Sequence, residues 1–421
     1  MEIKSRIFEV CLYMIDNKMT YIAFALKERK LLSFAVSLTF FSSFGQTFLI
    51  ALFVPFFLTA FNLTNATFGT LYSAATLVSA FSLPYLGQWI DRIQLRRYSV
   101  LVACGLLTSA ILMTISWHVS ILFISLILLR LMGQGLSGHT AQTTMARFYD
   151  HQRGKALSIS SLGFPLGEAV FPIAIAGLLT AFHWRTTWGI ISALILFVMI
   201  PLIWFLVSKS RTVSEKDDER KRDVSTKKSY KIMLKHPKLL FVLPAILLPP
   251  FWATGLFLYQ VSFADQMGWT AGIIASAFVA FAATRIIMGL TTGPLVDRFT
   301  AHKMFPFFMI PMIIGLPFGA FISAPWTAFV YMGLFGATFG MAGSIKSALW
   351  AEMFGTGMIG TVRSLFSSIM VVSTAASPFL MGWWLDQGVT MPTIFLIASI
   401  STLIGALLSM RLLVGQNTIV S

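Results

Sequence analysis

The composition of this 421-residue chain excludes a soluble globular protein. Hydrophobic residues fill 57% of the positions, charged residues fill 11%, and the mean hydropathy is +0.80, whereas a soluble domain carries roughly 25% charged residues. The net charge of +15 is scattered between apolar runs, so it does not form the continuous basic face of a nucleic-acid-binding protein. Two cysteines, Cys11 and Cys104, provide neither a disulfide framework nor a metal cluster. The excess apolar surface must therefore face lipid.

The apolar runs predict an all-α membrane protein with twelve transmembrane helices. Many runs are long enough to cross a bilayer with some tilt, and they lack the ~10-residue alternating segments of a β-barrel. No cleavage site follows a short apolar core at the N-terminus, so the run that begins near Leu31 is predicted to stay in the membrane. The predicted spans are 32–60, 68–90, 98–118, 120–145, 156–181, 187–207, 239–264, 271–293, 303–323, 326–349, 360–384 and 391–413.

Lysine and arginine lie mostly on one side of the predicted membrane. Counted from the N-terminus, every second connection is basic, whereas the opposite side carries only Arg185. The positive-inside rule then places both termini in the cytoplasm, which for this kind of protein predicts the bacterial inner membrane. The predicted segments are an amphipathic N-terminal segment (1–30), a first six-helix bundle (31–207), a charged linker (208–238), a second six-helix bundle (239–414) and a tail (415–421).

The two cytoplasmic segments admit a structural and a functional interpretation. Residues 1–30 carry apolar residues at three- and four-residue spacing, which favours a helix that anchors the chain on the membrane face. The mixed-charge run inside 208–238 favours a solvated tether. A regulatory role of this linker is the alternative.

The two predicted bundles are related by an internal repeat with an offset of 206 residues. Duplicated halves are typical of secondary transporters, which bind substrate near the middle of the membrane between the halves. The matches are Gly87-x-x-x-Asp91-Arg92 with Gly293-x-x-x-Asp297-Arg298, Gly154 with Gly360, and Pro172 with Pro378.

The connection between the second and third spans carries a signature motif. Its sequence, Gly87-Gln-Trp-Ile-Asp91-Arg92-Ile-Gln-Leu-Arg96-Arg97, resembles the motif that the major facilitator superfamily carries there, with Gln94 in place of the usual glycine. We expect Gly87 to allow close helix contact and Asp91 to face the positive N-terminus of a helix from the other half. The resemblance implies the major facilitator fold, with two pseudo-symmetric six-helix bundles and alternating access.

Within that superfamily, three local stretches resemble the monocarboxylate porter and oxalate:formate antiporter branches. They are Arg285-Ile-Ile-Met-Gly289, Ala351-Glu352-Met-Phe-Gly355 and Pro378-Phe-Leu-Met-Gly382-Trp-Trp-Leu-Asp386. In those porters the arginine of helix 8 is taken to bind the substrate carboxylate, so the resemblance implies this role for Arg285. Drug/proton antiporters usually carry Gly-Pro-x-x-Gly-Gly in helix 5, and this chain has Gly163-Phe-Pro-Leu-Gly167 instead.

Four ionisable residues fall inside predicted spans: Arg130, Glu168, Arg285 and Lys346. A charge in the middle of the membrane costs about 2.5–3.5 kcal/mol on insertion scales, so it persists when it is paired or faces a water-filled cavity. No acid in the eighth span or its neighbour is positioned to neutralise Arg285, which favours a bidentate carboxylate site. The alternative is an arginine that bonds to backbone carbonyls.

The other three charges have less decided roles. Arg130 and Glu168 are predicted at the same depth, which indicates either a fixed pair or a proton carrier at Glu168 whose protonation Arg130 controls. Lys346 is expected to snorkel or to pair with Glu352. His139 is a second proton-coupling candidate, although a helix-contact role is favoured for it.

Polar residues that interrupt apolar spans are the remaining candidates for substrate contact. They are Gln46 in the first span and Tyr259 with Gln260 in the seventh, which add to Arg285 and Arg130. The glycine-rich runs in the fourth and tenth spans indicate close helix packing.

These residues support two transport hypotheses and one weaker alternative. The first is alternating-access transport of a small organic anion, a carboxylate, with protons as a candidate coupling ion. The second is proton-coupled export of drugs or other amphipathic compounds, which would need an exposed acid and an aromatic pocket. A membrane enzyme or sensor is disfavoured because the chain has no P-loop, HExxH or Gly-x-Ser-x-Gly motif and no visible output domain. We expect no cofactor and no nucleic-acid partner, and we expect a monomer in the lipid bilayer.

Overall fold

The computed structural model describes residues 23–149, 152–207, 238–355 and 359–413. Within these ranges nearly every residue is helical and none forms a strand. The linker up to residue 237, residues 1–22 and the tail from residue 414 lie outside the described residues. The interpretations of those segments therefore stay predictions.

Each predicted span corresponds to a helix in the described part of the chain. Eleven helices are long and apolar enough to cross a membrane, and a bent pair at the N-terminus brings the number of spans to twelve if it counts as one. That pair, α1, consists of Arg29–Gly45 and Thr47–Phe61, with a bend of 42° between them. The others are α2 (Asn65–Asp91), α3 (Leu95–Thr114), α4 (Val119–Phe148), α5 (Arg153–Ala181), α6 (Trp184–Val207), α7 (Leu239–Leu258), α8 (Ala271–Phe299), α9 (Ala301–Phe321), α10 (Trp326–Phe354), α11 (Ile359–Asp386) and α12 (Met391–Leu412). A short helix, Gln260–Met267, continues α7.

Local capping explains several helix ends. Thr64 precedes α2 with an extended backbone, and its side chain accepts a hydrogen bond from the Thr67 N–H. His118 and His183 cap α4 and α6 in the same way. Such side chains satisfy N–H groups that have no partner inside the helix. Gly268 ends the continuation of α7 in the left-handed region, at φ 71°, which glycine adopts without steric cost.

Glycines bring helices together within each half of the molecule, where α1–α6 form the N-terminal half and α7–α12 the C-terminal half. A Cβ built on Gly133 of α4 would lie 2.8 Å from the Gly45 Cα of α1. A Cβ on Gly340 of α10 would lie 2.5 Å from the carbonyl oxygen of Arg285 in α8. These contacts agree with the packing role expected for the glycine-rich runs of α4 and α10.

The halves meet along two helix pairs, α2 with α11 and α5 with α8. We call the end of the molecule that holds Asp91, Arg147 and Arg298 the basic end, because alternate loops bring most of the lysines and arginines there. The opposite end, which holds Asn65 and Asp386, is called the far end. The middle of the α5–α8 pair brings Glu168 and Arg285 together.

Candidate functional site

An ion pair joins the two halves near the middle of α5 and α8. The Nη1 of Arg285 donates a hydrogen bond to the Oε1 of Glu168, 117 residues away in the sequence. The Glu168 side chain is 11% exposed and that of Arg285 is 30% exposed. The second carboxylate oxygen of Glu168 is buried and has no hydrogen-bond partner among the described residues. The pair therefore leaves one buried carboxylate oxygen of Glu168 without a partner in the described part of the chain.

The prediction that Arg285 is unpaired is wrong. The sequence argument considered acids only on α8 and on its neighbour in the chain, whereas the acid comes from α5 in the other half. An arginine whose charge is already compensated attracts a carboxylate less strongly than an unpaired one. The proposed anion site thus loses its main physical support.

The predicted pair of Arg130 and Glu168 does not form either. Arg130 Nη1 donates to Thr47 Oγ1 at 3.2 Å, and its guanidinium lies 5.1 Å from the centre of the Tyr72 ring. The Tyr72 hydroxyl is 2.9 Å from the same Thr47 oxygen. A cation over an aromatic face is favourable in a desolvated site, which explains how this buried arginine persists without a carboxylate.

Helix α1 lies beside both groups. Thr47 of α1 contacts Arg130, and one turn earlier Ser43 lies against Gly167, where an added Cβ would be 2.0 Å from its Oγ. Glu168 follows Gly167 directly. The two charges thus flank neighbouring turns of α1, so their depths are similar although they do not bond. The Nε of Arg130 is buried without a partner in the described part of the chain.

Aromatic side chains flank the ion pair on both sides. In the N-terminal half, Phe171 lies one turn from Glu168 and packs against Phe40 and Phe44, with ring centroids 4.6 Å apart in each case. In the C-terminal half, the Arg285 guanidinium lies 5.9 Å from the Phe281 ring. Further aromatic contacts extend these clusters. Phe48 of the N-terminal half contacts Phe278 of the C-terminal half. Within the C-terminal half, Phe257 contacts Phe278, Phe281 and Phe335.

The polar residues expected to contact substrate lie at helix breaks. Gln46 separates the two parts of α1, and Tyr259 separates α7 from its continuation. The Tyr259 hydroxyl is 2.8 Å from the Asn65 carbonyl oxygen of α2. Gln260 donates from Nε2 to the Phe48 carbonyl oxygen at 3.0 Å. The donors of Tyr259 and Gln260 therefore hold the halves together in this conformation, while the Gln260 Oε1 remains without a partner in the described residues.

His139 and Lys346 lie away from the ion pair. His139 packs against Gly87, where an added Cβ would be 3.2 Å from its Nε2, so it connects α4 to the basic end of α2. Lys346 donates to the Ile246 carbonyl oxygen of α7 at 3.4 Å. The expected pair of Lys346 and Glu352 does not form. Glu352 instead accepts hydrogen bonds from the Ala301 N–H at 2.8 Å and from His302.

The signature motif forms contacts inside its own half. Asp91 pairs with Arg147 of α4, and its expected position facing a helix terminus of the other half stays a prediction. Arg96 stacks on Trp204, with 3.7 Å between its guanidinium carbon and the ring centroid, whereas Arg92 and Arg97 are exposed.

The repeated motif in α8 is open rather than tightly packed. A Cβ on Gly293 would meet nothing within 4 Å. Asp297 and Arg298 are exposed, and the Arg298 guanidinium lies over the neighbouring Phe299 ring.

One residue at the basic end has a perturbed acidity. Tyr149 donates to Glu28 Oε2 at 3.0 Å. Burial, together with the hydrogen bond and charge of Glu28, raises the pKa of Tyr149 above its usual value. The phenol therefore stays protonated near neutral pH and connects the residue just before α1 to the residue just after α4.

The sequence argument did not single out Asp386 as a contact between the halves. It ends α11 and accepts three hydrogen bonds from Asn65 and Ala66 at the start of α2. No local pattern marks this contact, since the partners are 321 and 320 residues apart. Among the described residues, no group of three or more His, Cys, Asp or Glu could hold a metal ion.

The sequence profile described as Major Facilitator Superfamily matches residues 35–271 and 250–418. The chain belongs to this superfamily. It is therefore a secondary transporter for a small molecule and not an enzyme, and the twelve-span architecture in two halves is the one that the family resemblance implied.

Individual relatives agree with this assignment. The chain is 23% identical over 400 residues to Multidrug resistance protein 2 of Bacillus subtilis (strain 168), covering 92% of this chain and 96% of that protein. Among solved structures it is similar to the nucleoside transporter NupG, with a TM-score of 0.71, 13% identity and coverage of 92% and 99%. It is also similar to the D-xylose-proton symporter, with a TM-score of 0.67, 15% identity and coverage of 91% and 97%. At these identities the structural likeness shows the shared major facilitator fold alone.

Proposed function

We propose that this major facilitator exports amphipathic organic compounds in exchange for protons, and that Glu168 carries the proton. The observation that supports this function best is the Glu168–Arg285 pair with aromatic clusters on both sides. The pair places an acid between the halves, with its side chain 11% exposed, and the rings supply the aromatic surfaces that such an exporter needs. The similarity to Multidrug resistance protein 2 gives independent support.

The charges favour this proposal over transport of an organic anion. Arg285 is compensated by Glu168, and Arg130 is covered by Tyr72 and Thr47. A carboxylate substrate would have to displace Glu168 from the arginine. An amphipathic compound would instead place its apolar part against the phenylalanine rings, which also attract cations.

The pair also offers a mechanism for coupling to protons. Arg285 and a proton compete for the Glu168 carboxylate, because both bind its oxygens. Because the two residues belong to different halves, a movement of the halves that separates them leaves that carboxylate free to bind a proton. Proton binding and alternating access are thereby linked.

The direction of transport follows from the proposed orientation. The positive-inside rule places the basic end in the cytoplasm. In this conformation the halves are bonded together at the far end, and we propose that the site opens toward the basic end. We propose that substrate enters there and that protons enter from the far end in the alternative conformation.

The test is transport by purified protein in proteoliposomes with an imposed pH gradient. We expect gradient-driven movement of the lipophilic cation ethidium, and we expect Glu168→Gln to reduce this rate at least tenfold while ethidium binding persists. Asp265→Asn is the matched control, because Asp265 is an exposed carboxylate at the far end. The exporter proposal fails if Glu168→Gln retains the full gradient-driven rate.

A second arm of the experiment separates the two substrate classes. Radiolabelled lactate and succinate replace ethidium in the same vesicles, with the wild type and Arg285→Ala. We expect neither carboxylate to accumulate. Accumulation of one of them without ethidium transport, abolished in Arg285→Ala, would overturn the proposal in favour of an organic anion.

A further inference from the structure

Asp386 caps a helix that belongs to the other half of the transporter. Its Oδ1 accepts hydrogen bonds from the Asn65 backbone N–H at 3.1 Å and from the Asn65 amide at 2.9 Å. Its Oδ2 accepts from the Ala66 N–H at 2.8 Å. A single carboxylate at the end of α11 thus holds the N-terminus of α2 with three hydrogen bonds.

The start of α2 needs such a partner. The first N–H groups of a helix have no acceptor inside the helix, and the partial positive charge there favours an anion. Thr64 accepts from the Thr67 N–H, and Asp386 accepts from the N–H groups of Asn65 and Ala66. The carboxylate and the helix terminus are therefore complementary in charge as well as in hydrogen bonding.

The surrounding contacts bring the same two helices close together. A Cβ on Gly69 would lie 2.3 Å from the Pro378 carbonyl oxygen, and a Cβ on Gly382 would lie 2.4 Å from the Asn65 carbonyl oxygen. The Tyr259 hydroxyl lies 2.8 Å from the Asn65 oxygen and 3.1 Å from the Pro378 oxygen. The far end is therefore closed by backbone contact between α2 and α11.

Two side-chain contacts at the basic end, Asp91 with Arg147 and Glu352 with His302, each stay within one half. The hydrogen bonds of Asp386, by contrast, join the two halves at the far end.

The internal repeat shows that this contact is specific to one interface. The 206-residue offset places Thr180 of α5 opposite Asp386, and Ala271 at the start of α8 opposite Asn65. The pseudo-equivalent α5–α8 interface therefore lacks a carboxylate at that position. It carries the Glu168–Arg285 pair at mid-depth instead.

We propose that Asp386 is a latch that holds the far end closed and that must release α2 before the transporter can open at that end. Asp386 is exposed to solvent, so water competes for its oxygens and can solvate the carboxylate and the two N–H groups after release. The contact is consequently strong enough to bias the conformation and weak enough to break in each cycle. This inference concerns the conformational equilibrium and does not depend on the proposed substrate.

The experiment measures both ends of the molecule with spin labels. Cys11 and Cys104 are replaced by serine, and one pair of cysteines is introduced at exposed far-end positions, Ser120 and Thr393. A second pair is introduced at the basic end, at Gln152 and Lys303. Double electron–electron resonance distances are then compared between the Asp386 and Asp386→Asn proteins.

Loss of the latch predicts opposite changes at the two ends. In Asp386→Asn we expect the far-end distance to lengthen, the basic-end distance to shorten, and the ratio of far-end-open to far-end-closed molecules to rise roughly tenfold. Asp386→Glu should recover part of the closed population, because it restores the charge.

Two outcomes would overturn the latch. One is an unchanged far-end distribution in Asp386→Asn. The other is broadening at both ends without a reciprocal shift, since that pattern indicates local loosening rather than a change of conformation. Asp265→Asn, which removes another exposed far-end carboxylate, should leave both distributions unchanged.

Discussion

Lys346 contacts a carbonyl group that lacks its usual helical donor. In an α-helix the Ile246 carbonyl would accept from the N–H of residue 250, but residue 250 is proline and has no N–H. Lys346 of α10 donates to that carbonyl at 3.4 Å. The lysine thus compensates for a proline in a different helix, which supports a structural role.

This contact predicts a coupling between two substitutions. Lys346→Met should lower the free energy of unfolding by about 1–2 kcal/mol, because it leaves a carbonyl without a donor. In a Pro250→Ala background the loss should be smaller, since the alanine N–H restores the helical hydrogen bond. Thermal unfolding in detergent of the four proteins in this double-mutant cycle measures the coupling.

The matched control for this cycle is Lys303→Met, which removes an exposed lysine at the start of α9. It should change the unfolding temperature little. Equal losses for Lys346→Met in the wild-type and Pro250→Ala backgrounds would contradict the assigned role.

At the scale of single residues, the sequence identified the membrane-embedded charges but not their partners. Arg130, Glu168, Arg285 and Lys346 stand out because each interrupts an apolar run. Each partner depends on which helix lies alongside and how that helix is rotated. Thr47 and Tyr72 are uncharged, and a search for opposite charges does not find them.

At the scale of helices, the positions of the spans could be predicted because apolar length is a local property. Polar residues within the apolar runs mark the positions where helices are interrupted. The sequence does not show whether such a residue bends the helix or contacts substrate. The sequence predicts Gln46 and Tyr259 as substrate contacts, and both coincide with interruptions of a helix. A polar residue in an apolar run can mark a bend as well as a binding site.

Close contacts between helices predict which glycines tolerate alanine. A Cβ on Gly336 of α10 would lie 2.1 Å from the Phe281 carbonyl oxygen of α8, whereas one on Gly177 of α5 would meet nothing within 4 Å. Gly336→Ala should therefore destabilise the protein by about 1–3 kcal/mol. Gly177→Ala, the control, should be neutral or slightly stabilising. Thermal unfolding checks both, and equal unfolding temperatures would show that α8 and α10 pack less tightly than described.

At the scale of the whole molecule, the two interfaces between the halves differ in the contacts that they make. The α5–α8 interface holds an ion pair at mid-depth, and the α2–α11 interface is closed at the far end by backbone contact. Side-chain atoms added to the α2–α11 interface at the far end should force the halves apart at that end only.

This difference predicts a conformational effect of a single methyl group. Gly382→Ala places its Cβ 2.4 Å from the Asn65 carbonyl oxygen, so it should raise the far-end-open population in the same spin-label experiment, even with Asp386 intact. Gly154→Ala serves as the control, because a Cβ there meets nothing within 4 Å. A closed far end in Gly382→Ala would mean that α2 and α11 can separate locally without opening the molecule.

The sequence by itself determined the membrane-spanning class, the number of spans and the duplication. These follow from apolar run length and from residues that recur at a fixed offset, and both can be read along the chain. Only the tertiary structure decided that Glu168 pairs with Arg285 and that Asp386 accepts hydrogen bonds from Asn65. Those pairs join positions 117 and 321 residues apart, and their contact depends on the relative placement and rotation of helices from different halves.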